Sequence, residues 1–282
     1  MILYRLILFF NKFFKKRDHP FNRGGKYKLN YADFEYESAK KVFKDFEKVI
    51  GKEIGEIVRD KEVLDLGCGA GGKTVFIKEN GAQRVVGVDL SELLIKQADC
   101  FQKERKMDIE FHQGNVCELP FKDNVFDLLI ASDLVEHVKP PEKMFKEAYR
   151  VLKSGGVFLI NFEPYYHFLG HHMWDMINIP WVHVFFSEQT RIKAYKTLVK
   201  DIPDGAERLK FRLDVDVEGR EYLGYLNGMT VHRFLSILDK SGFIVLKKQF
   251  IPLSKFPFTL LNRLPFFREF SNLRLIYVLT KK

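Results

Sequence analysis

The chain has 282 residues, 46% of them hydrophobic and 29% charged, a length that suits one sizeable core plus an insertion better than two separate domains. Its three cysteines, Cys68, Cys100 and Cys117, are odd in number and form no CxxC pair, which argues against a disulfide framework or a cysteine-based zinc set and fits a reducing, cytoplasmic compartment. The net charge of +9 sits at the ends: residues 1–30 and 247–282 each carry +7, so the stretch between them is −5 and a nucleic-acid partner is disfavoured.

The first predicted element is an amphipathic helix over residues 2–14, inside the opening stretch "MILYRLILFFNKFFKKR". Aromatic and aliphatic side chains beside Lys and Arg suit the interface of an anionic bilayer, and "FPFTLLNRLPFFREF" repeats that mixture near the other end. Arg5, Asn11 and Lys12 interrupt the first run far short of the roughly 20 apolar residues that span a bilayer. The cations follow the apolar run, and no small-residue cleavage site appears, so a secretory signal is not expected. Packing of this helix on the protein's own surface, or single-stranded nucleic acid, are the competing readings.

From residue 36 the pattern alternates between helix and strand. A helix over 36–50 precedes the strand "EVLDLG". Then come a helix from 72, the strand "RVVGVDL", a helix over 91–106, and the strands "DIEFHQGN" and "VFDLLIAS". A helix over 141–152 is predicted to stop at "SGG" before the strand "VFLINF". After Phe162 the rhythm fails for nearly seventy residues, then resumes with a helix over 230–243 and the strands "IVLKKQF" and "LRLIYVLT". Repeated βαβ units predict an α/β fold with a mostly parallel sheet.

"VLDLGCGAGG" matches G-x-G-x-x-G through Gly67, Gly69 and Gly72, a pattern that dinucleotide-binding proteins share. Asp89, near the end of the second strand, suits the ribose diol of either kind of cofactor. Asp65 discriminates. A carboxylate two residues before the first glycine opposes a pyrophosphate but favours the ammonium and sulfonium of S-adenosylmethionine.

The order "VLDLGCGAGG", "VVGVDLS", "GNVCELPFKDNVFDLLIASDLVEHV" and "EAYRVLKSGGVFLINFEP" resembles the class I S-adenosylmethionine-dependent methyltransferases, in the small-molecule branch that holds the ubiquinone and menaquinone biosynthesis enzymes. The resemblance is strong over residues 60–163 and weaker over 230–282. It implies a Rossmann-like, seven-stranded, mostly parallel sheet with an antiparallel last strand, helices on both faces, and an insertion after strand 5. Together with the composition it divides the chain into four expected regions: a basic apolar segment 1–35, which its charge and aromatics suit to a membrane-surface helix, an S-adenosylmethionine-binding core 36–163, a substrate-recognition lid 164–229, and a completion of the sheet 230–282. Carried over by position, Asp65, Gly67, Cys68 and Gly69 would line the methionine portion of the cofactor. Asp89 would hold the ribose, with Leu90 against the adenine. Asn115 and Val116 would meet the adenine edge, and Ala131 would offer backbone to the methionine amino group. Asn115 stands where Asp is commoner in the family, and its side-chain oxygen can still accept from an amine.

"SDLVEHV" sets Asp133, Glu136 and His137 at i, i+3 and i+4, the spacing of one helical face. The ubiquinone-pathway O-methyltransferases and the small-RNA 2′-O-methyltransferases are similar here and bind a metal through such a run. A divalent cation is therefore one reading, against a cleft wall or a general base at His137. "HFLGHHMWD" poses the same question for His167, His171 and Asp175, although Gly170 weakens a continuous helix there. The insertion also holds Trp174, Trp181, Tyr165, Tyr166, Phe168, Phe185 and Phe186, which predicts an apolar or ring-containing small-molecule acceptor unless these rings form the insertion's own core. His137, Glu163, His167 and His171 are the candidates for removing a proton from a hydroxyl acceptor. The reading is a methyltransferase acting on a small apolar or lipid-linked acceptor, peripheral on the membrane. The alternatives are an RNA methyltransferase and a catalytically silent adaptor with this fold.

Overall fold

The computed structural model describes residues 3–17, 19, 27–254 and 258–282. Arg23, Lys26 and Lys255, counted above in the basic ends, lie outside the described residues. The strands in chain order are β1 (Glu62–Leu66), β2 (Arg84–Asp89), β3 (Glu110–Gln113), β4 (Phe126–Ser132), β5 (Leu152–Phe162), β6 (Leu213–Val215), β7 (Glu221–Leu223), β8 (Ile244–Pro252) and β9 (Asn272–Thr280). The chain divides into two units, one of Lys26–Phe162, His232–Ile251 and Arg274–Lys282, the other of Met1–Gly25, Glu163–Val231 and Pro252–Leu273.

The first unit is built on a seven-stranded sheet in the order β3-β2-β1-β4-β5-β9-β8. β1 pairs in parallel with β2 and β4, β2 with β3, and β4 with β5, while β9 runs antiparallel to β5. The expected fold class, with its antiparallel last strand, is what the sheet shows. Sequence order reverses direction across β1 and β4, the switch point beyond whose carboxyl edge open α/β sheets bind ligands. Val63, Leu64, Leu66, Leu128 and Leu129 are fully buried, as continuous apolar runs in two-sided parallel strands require.

Two local expectations change. The first long helix runs over Tyr27–Ile50 rather than 36–50, so the boundary drawn at residue 35 falls inside it. The helix Pro141–Val151 ends before "SGG", because Leu152 already adopts extended geometry (φ −76°, ψ 135°). Ser154, Gly155 and Gly156 instead lie within β5, where pairing jumps from Phe126↔Leu152 to Leu128↔Val157. Gly155, at φ +75°, turns the bulged strand there. The glycines mark a bulge and not a helix stop.

The second unit has its own core of Ile7, Met173, Ile177, Val182, Ile192, Tyr195 and Val199. The helix Leu3–Asn11 contributes Ile7, fully buried, and its end is tied down by Asn11, whose Nδ2 donates to the Met176 carbonyl (2.7 Å) while its Oδ1 accepts from Asn178 N–H (2.7 Å). The stretch without rhythm holds the helices Glu188–Val199 and Gly205–Arg212 and the β6–β7 hairpin. Their burial keeps the helical period, at Arg191, Ile192, Ala194, Tyr195 and Val199 and at Gly205, Arg208 and Arg212, but not all of these positions are apolar. Buried Arg191, Arg208 and Arg212 interrupt the apolar positions of both helices, which hides them from a hydropathy reading.

Candidate active site

Asp65 is the penultimate residue of β1 and is 2% exposed; its Oδ2 accepts from Thr74 Oγ1 (2.7 Å). Burial pushes its carboxyl up to about 6 against the pull of Thr74 and of the Lys73 ammonium. Asp89 ends β2. One of its oxygens accepts from Gly69 N–H (3.0 Å) and the other from Ser91 N–H (2.9 Å), and burial raises it too. Gly67 and Gly69 take φ +68° and +58°, left-handed backbone open to glycine at little cost. A Cβ on Gly69 would also strike the Glu35 carboxylate, and one on Gly67 would meet Leu134 Cδ1 at 2.5 Å. Cys68 is buried between these carboxylates. Desolvation, then the charge of Asp65, drive its thiol well above the ordinary range, so it is a small apolar filler.

The other expected cofactor residues lie along the same carboxyl edge. Leu90 is 72% exposed beyond β2, and Ala131, fully buried on β4, sits opposite Leu66. Val116 is buried. Asn115 Oδ1 already accepts from Cys117 N–H (2.9 Å), so the side chain caps its own turn and keeps one lone pair for any further donor.

Three residues here went unnoticed in the sequence. Glu35, on the helix Tyr27–Ile50, is 8% exposed and accepts from Ala70 N–H and Gly72 N–H, both at 3.2 Å. The glycine-loop amides that would cradle a pyrophosphate are thus satisfied by the protein's own carboxylate. Lys73 reaches across to β4, with Nζ 2.9 Å from Ser132 Oγ and 3.1 Å from Asp133 Oδ2, and Thr74 holds Asp65. The signal for Glu35 was its place on the buried stripe Ala32, Glu35, Ala39, Val42, Phe46. A carboxylate on an apolar stripe needs a partner.

Burial raises Glu35 to about 8, against the opposing charge of Lys73 and the two loop amides. From the ordinary carboxylate range up to that value the folded protein keeps a proton that the unfolded chain has released. Stability contributed by this group is therefore full at low pH and is lost as pH rises through about 8. Asp65 adds the same sign over the lower part of the window. Glu35→Gln is expected to flatten the fall in Tm between roughly pH 5.5 and 8.5. Parallel slopes in variant and wild type would mean that Glu35 is ionised throughout.

The metal reading of Asp133, Glu136 and His137 is corrected. The segment after β4 is a non-helical turn with Asp133 at φ +54°, so the i, i+3, i+4 spacing does not form a helical face. Asp133 is committed to Lys73, to Asn161 Nδ2 (2.9 Å) and to Arg274 (3.8 Å). Although burial opposes its ionisation, these cations hold its carboxyl far below the ordinary range. No group of three or more His, Cys, Asp or Glu suited to a metal occurs among the described residues, so a divalent cation is not supported.

In the second unit, His167 to Asp175 form turns, without the helical face their spacing allows; a Cβ on Gly170 would collide with the Tyr165 carbonyl. Glu163 and His167 do come together, Oε2 to Nδ1 at 3.4 Å. His171 is fully buried, and desolvation followed by the charges of His183 and Arg191 lowers its pKa well below the ordinary value. Asp175 belongs to an ion network with Arg208 and Arg212. The insertion's rings pack largely on one another and on other side chains of the second unit. Trp181 Nε1 donates to the Tyr166 carbonyl (3.1 Å), Phe168 lies near Trp181 and under Arg17, and Tyr166 meets Phe270. Phe185 is the exception at 76% exposed. Much of the aromatic density is thus packed within the second unit.

Residues 64–160 match the family model described as a methyltransferase domain, Methyltransf_11. The chain is 33% identical over 104 residues to a norajmaline N-methyltransferase of Rauvolfia serpentina, covering 36% of each protein. It is 26% identical over 185 residues to a ubiquinone biosynthesis O-methyltransferase of Coxiella burnetii, covering 64% of this chain and 75% of that one. The alkaloid, phosphoethanolamine, squalene and sterol methyltransferases that match at 33–36% identity are each spanned over only 20–36% of their length. The PH0226 protein of Pyrococcus horikoshii shares the fold, with a TM-score of 0.53 at 22% identity over 94% of this chain and all of that one. Motif order and sheet topology agree with the family match: residues 64–160 carry a methyltransferase domain, and the chain has the fold of, and is similar to, the class I S-adenosylmethionine-dependent methyltransferases.

Proposed function

We propose that this chain transfers a methyl group from S-adenosylmethionine to a small apolar or lipid-linked acceptor at an anionic membrane surface. The observation that carries the donor half is the acidic edge of the sheet. Asp65 is buried and Asp89 partly buried, both are raised, and the glycine-loop amides are taken by Glu35, an arrangement suited to a cation and unsuited to a pyrophosphate. When bound, S-adenosylmethionine supplies an electrophilic methyl on a sulfonium. Asp65, Gly67, Cys68 and Gly69 hold its methionine portion, with the Ala131 backbone at the amino group. Asp89 accepts from the ribose hydroxyls, Leu90 covers the adenine, and Asn115 and Val116 meet its edge. The remaining tasks are orienting the acceptor, excluding water and, for a hydroxyl, removing a proton. Among His137, Glu163, His167 and His171, the Glu163–His167 contact supports His167 as the base, oriented by a carboxylate. Isothermal titration with S-adenosylmethionine tests the donor half; absence of heat would sink it.

The acceptor half rests on the helix Leu3–Asn11 and the turn after it. Ile7 faces the second unit's core, while Leu3, Leu6, Phe9, Phe10 and Phe13 are 39–71% exposed beside Lys12, Lys15, Lys16 and Arg17. No helix among the described residues is long and apolar enough to cross a membrane. An exposed apolar face flanked by cations fits a helix lying in the headgroup region. The relatives that act in ubiquinone biosynthesis or bear squalene and sterol in their names have apolar chemistry in common. The double variant Phe9→Glu with Phe13→Glu leaves Ile7 in place. It is expected to lower co-sedimentation with anionic vesicles at least about tenfold, since each ring inserted contributes on the order of 1.5–3 kcal/mol. Equal sedimentation of variant and wild type would remove the membrane from this reading.

A further inference from the structure

Within the second unit, buried hydrogen-bond donors of His171 and Arg191 have no acceptor among the described residues. His171 is fully buried, and its Nδ1 accepts from Met173 N–H at 3.0 Å. That nitrogen therefore carries no proton, and in the neutral ring the proton is on Nε2. Nε2 is buried and has no hydrogen-bond partner among the described residues. Arg191, on the helix Glu188–Val199, is 2% exposed; its Nε donates to the Phe186 carbonyl (3.2 Å), and its Nη1 is likewise buried without a partner.

No carboxylate among the described residues forms an ion pair with Arg191, in contrast to Arg208 and Arg212, which share Asp175. The His183 ring stands 5.8 Å from that of His171 and 5.0 Å from Tyr165, and the charge of Arg191 acts on both imidazoles. A buried guanidinium whose charge acts on a ring with a buried, unpartnered N–H asks for an acceptor that is also negatively charged. A water molecule would take the hydrogen bonds but leave the charge uncompensated.

We propose that this unit encloses a small oxyanion, a carboxylate or phosphate group, held by Arg191 Nη1 and His171 Nε2. None of its residues is among those assigned to the methyl donor, and it does not depend on the reaction proposed above. It also assigns His171 a role other than proton removal, as a fixed donor of one tautomer.

The test uses the full chain, with sodium acetate and inorganic phosphate titrated separately at constant ionic strength set by chloride. In ¹⁵N-histidine spectra the His171 Nε2 resonance is expected to move saturably with at least one anion, and which of the two moves it identifies the group. Arg191→Met is expected to weaken that anion's half-saturation at least about tenfold, as loss of a charge-assisted pair implies. The proposal is overturned by an Nε2 resonance that neither anion moves, a reading on the wild type that stands even if the variant does not fold. It is equally overturned by half-saturation that is the same in Arg191→Met.

Discussion

Asp175→Ala is expected to destabilise the protein by about 3–5 kcal/mol, the range seen when one partner of a buried ion pair is removed. The side chain of Asp175 is completely buried; Oδ1 takes Arg212 Nη2 at 2.9 Å, and Oδ2 takes Arg208 Nη1 at 3.2 Å and Tyr195 Oη at 2.7 Å. Arg212 continues the network through Nε to Tyr195 Oη (2.9 Å), through Nη1 to Tyr225 Oη (3.0 Å), and to the His172 carbonyl. Burial raises both phenols, Tyr225 to about 12, so neither phenol contributes a negative charge near neutral pH. Loss of Asp175 removes the carboxylate that two guanidinium groups, 5% and 2% exposed, share in a low-dielectric interior, while Arg208 keeps its ion pair with Asp204 (3.1 Å). Thermal unfolding should show a midpoint lower by roughly 10 °C, at about 2–4 °C per kcal/mol for a chain of this order of size. Arg208→Met removes one cation and leaves Arg212 paired, so it should lower the midpoint by a smaller amount. A midpoint for Asp175→Ala within the error of wild type would mean that solvent reaches the network.

That network also shows where sequence reasoning ends. Asp65, the glycines and Asp89 were legible because each belongs to a local pattern, a strand end or a tight turn, whose chemistry is set by a few neighbours. The sheet was legible for the same reason: buried parallel strands are continuous apolar runs, and the helices between them keep one period. Asp175 looked like part of a metal or pocket cluster with His167 and His171, because its partners Arg208 and Arg212 lie 33 and 37 positions away. Asp133 looked like a ligand for a similar reason. Lys73 and Asn161, which occupy it, are 60 and 28 positions distant. Glu35 was hidden differently. Its stripe was visible, but its partners are backbone N–H groups of Ala70 and Gly72, and backbone donors leave no mark in side-chain composition. Spacing identifies residues that can meet along one element, and it is silent on which distant charge has already claimed them.

Asp89→Ala is expected to weaken S-adenosylmethionine binding at least about a hundredfold, because two hydrogen bonds to a charged acceptor are each worth about 1.5–3 kcal/mol. Two mechanisms act together. In the proposed binding mode the ribose hydroxyls lose their carboxylate, and the loop loses the bond from Gly69 N–H that fixes its left-handed turn against β2. The bond from Ser91 N–H goes as well, although Ser91 still caps the helix Glu92–Glu104 through Leu94 N–H. Asp89→Asn separates the contributions. It preserves the shape and one acceptor oxygen but turns the other into a donor, so only one of the Gly69 and Ser91 bonds survives. Its affinity should fall between those of wild type and Asp89→Ala. Isothermal titration gives the dissociation constants, and Tm measured without ligand shows whether the loop change has reached the fold. An affinity for Asp89→Ala within about threefold of wild type, a difference well under 1 kcal/mol, would take the ribose away from Asp89 and require a different carboxylate on this edge of the sheet.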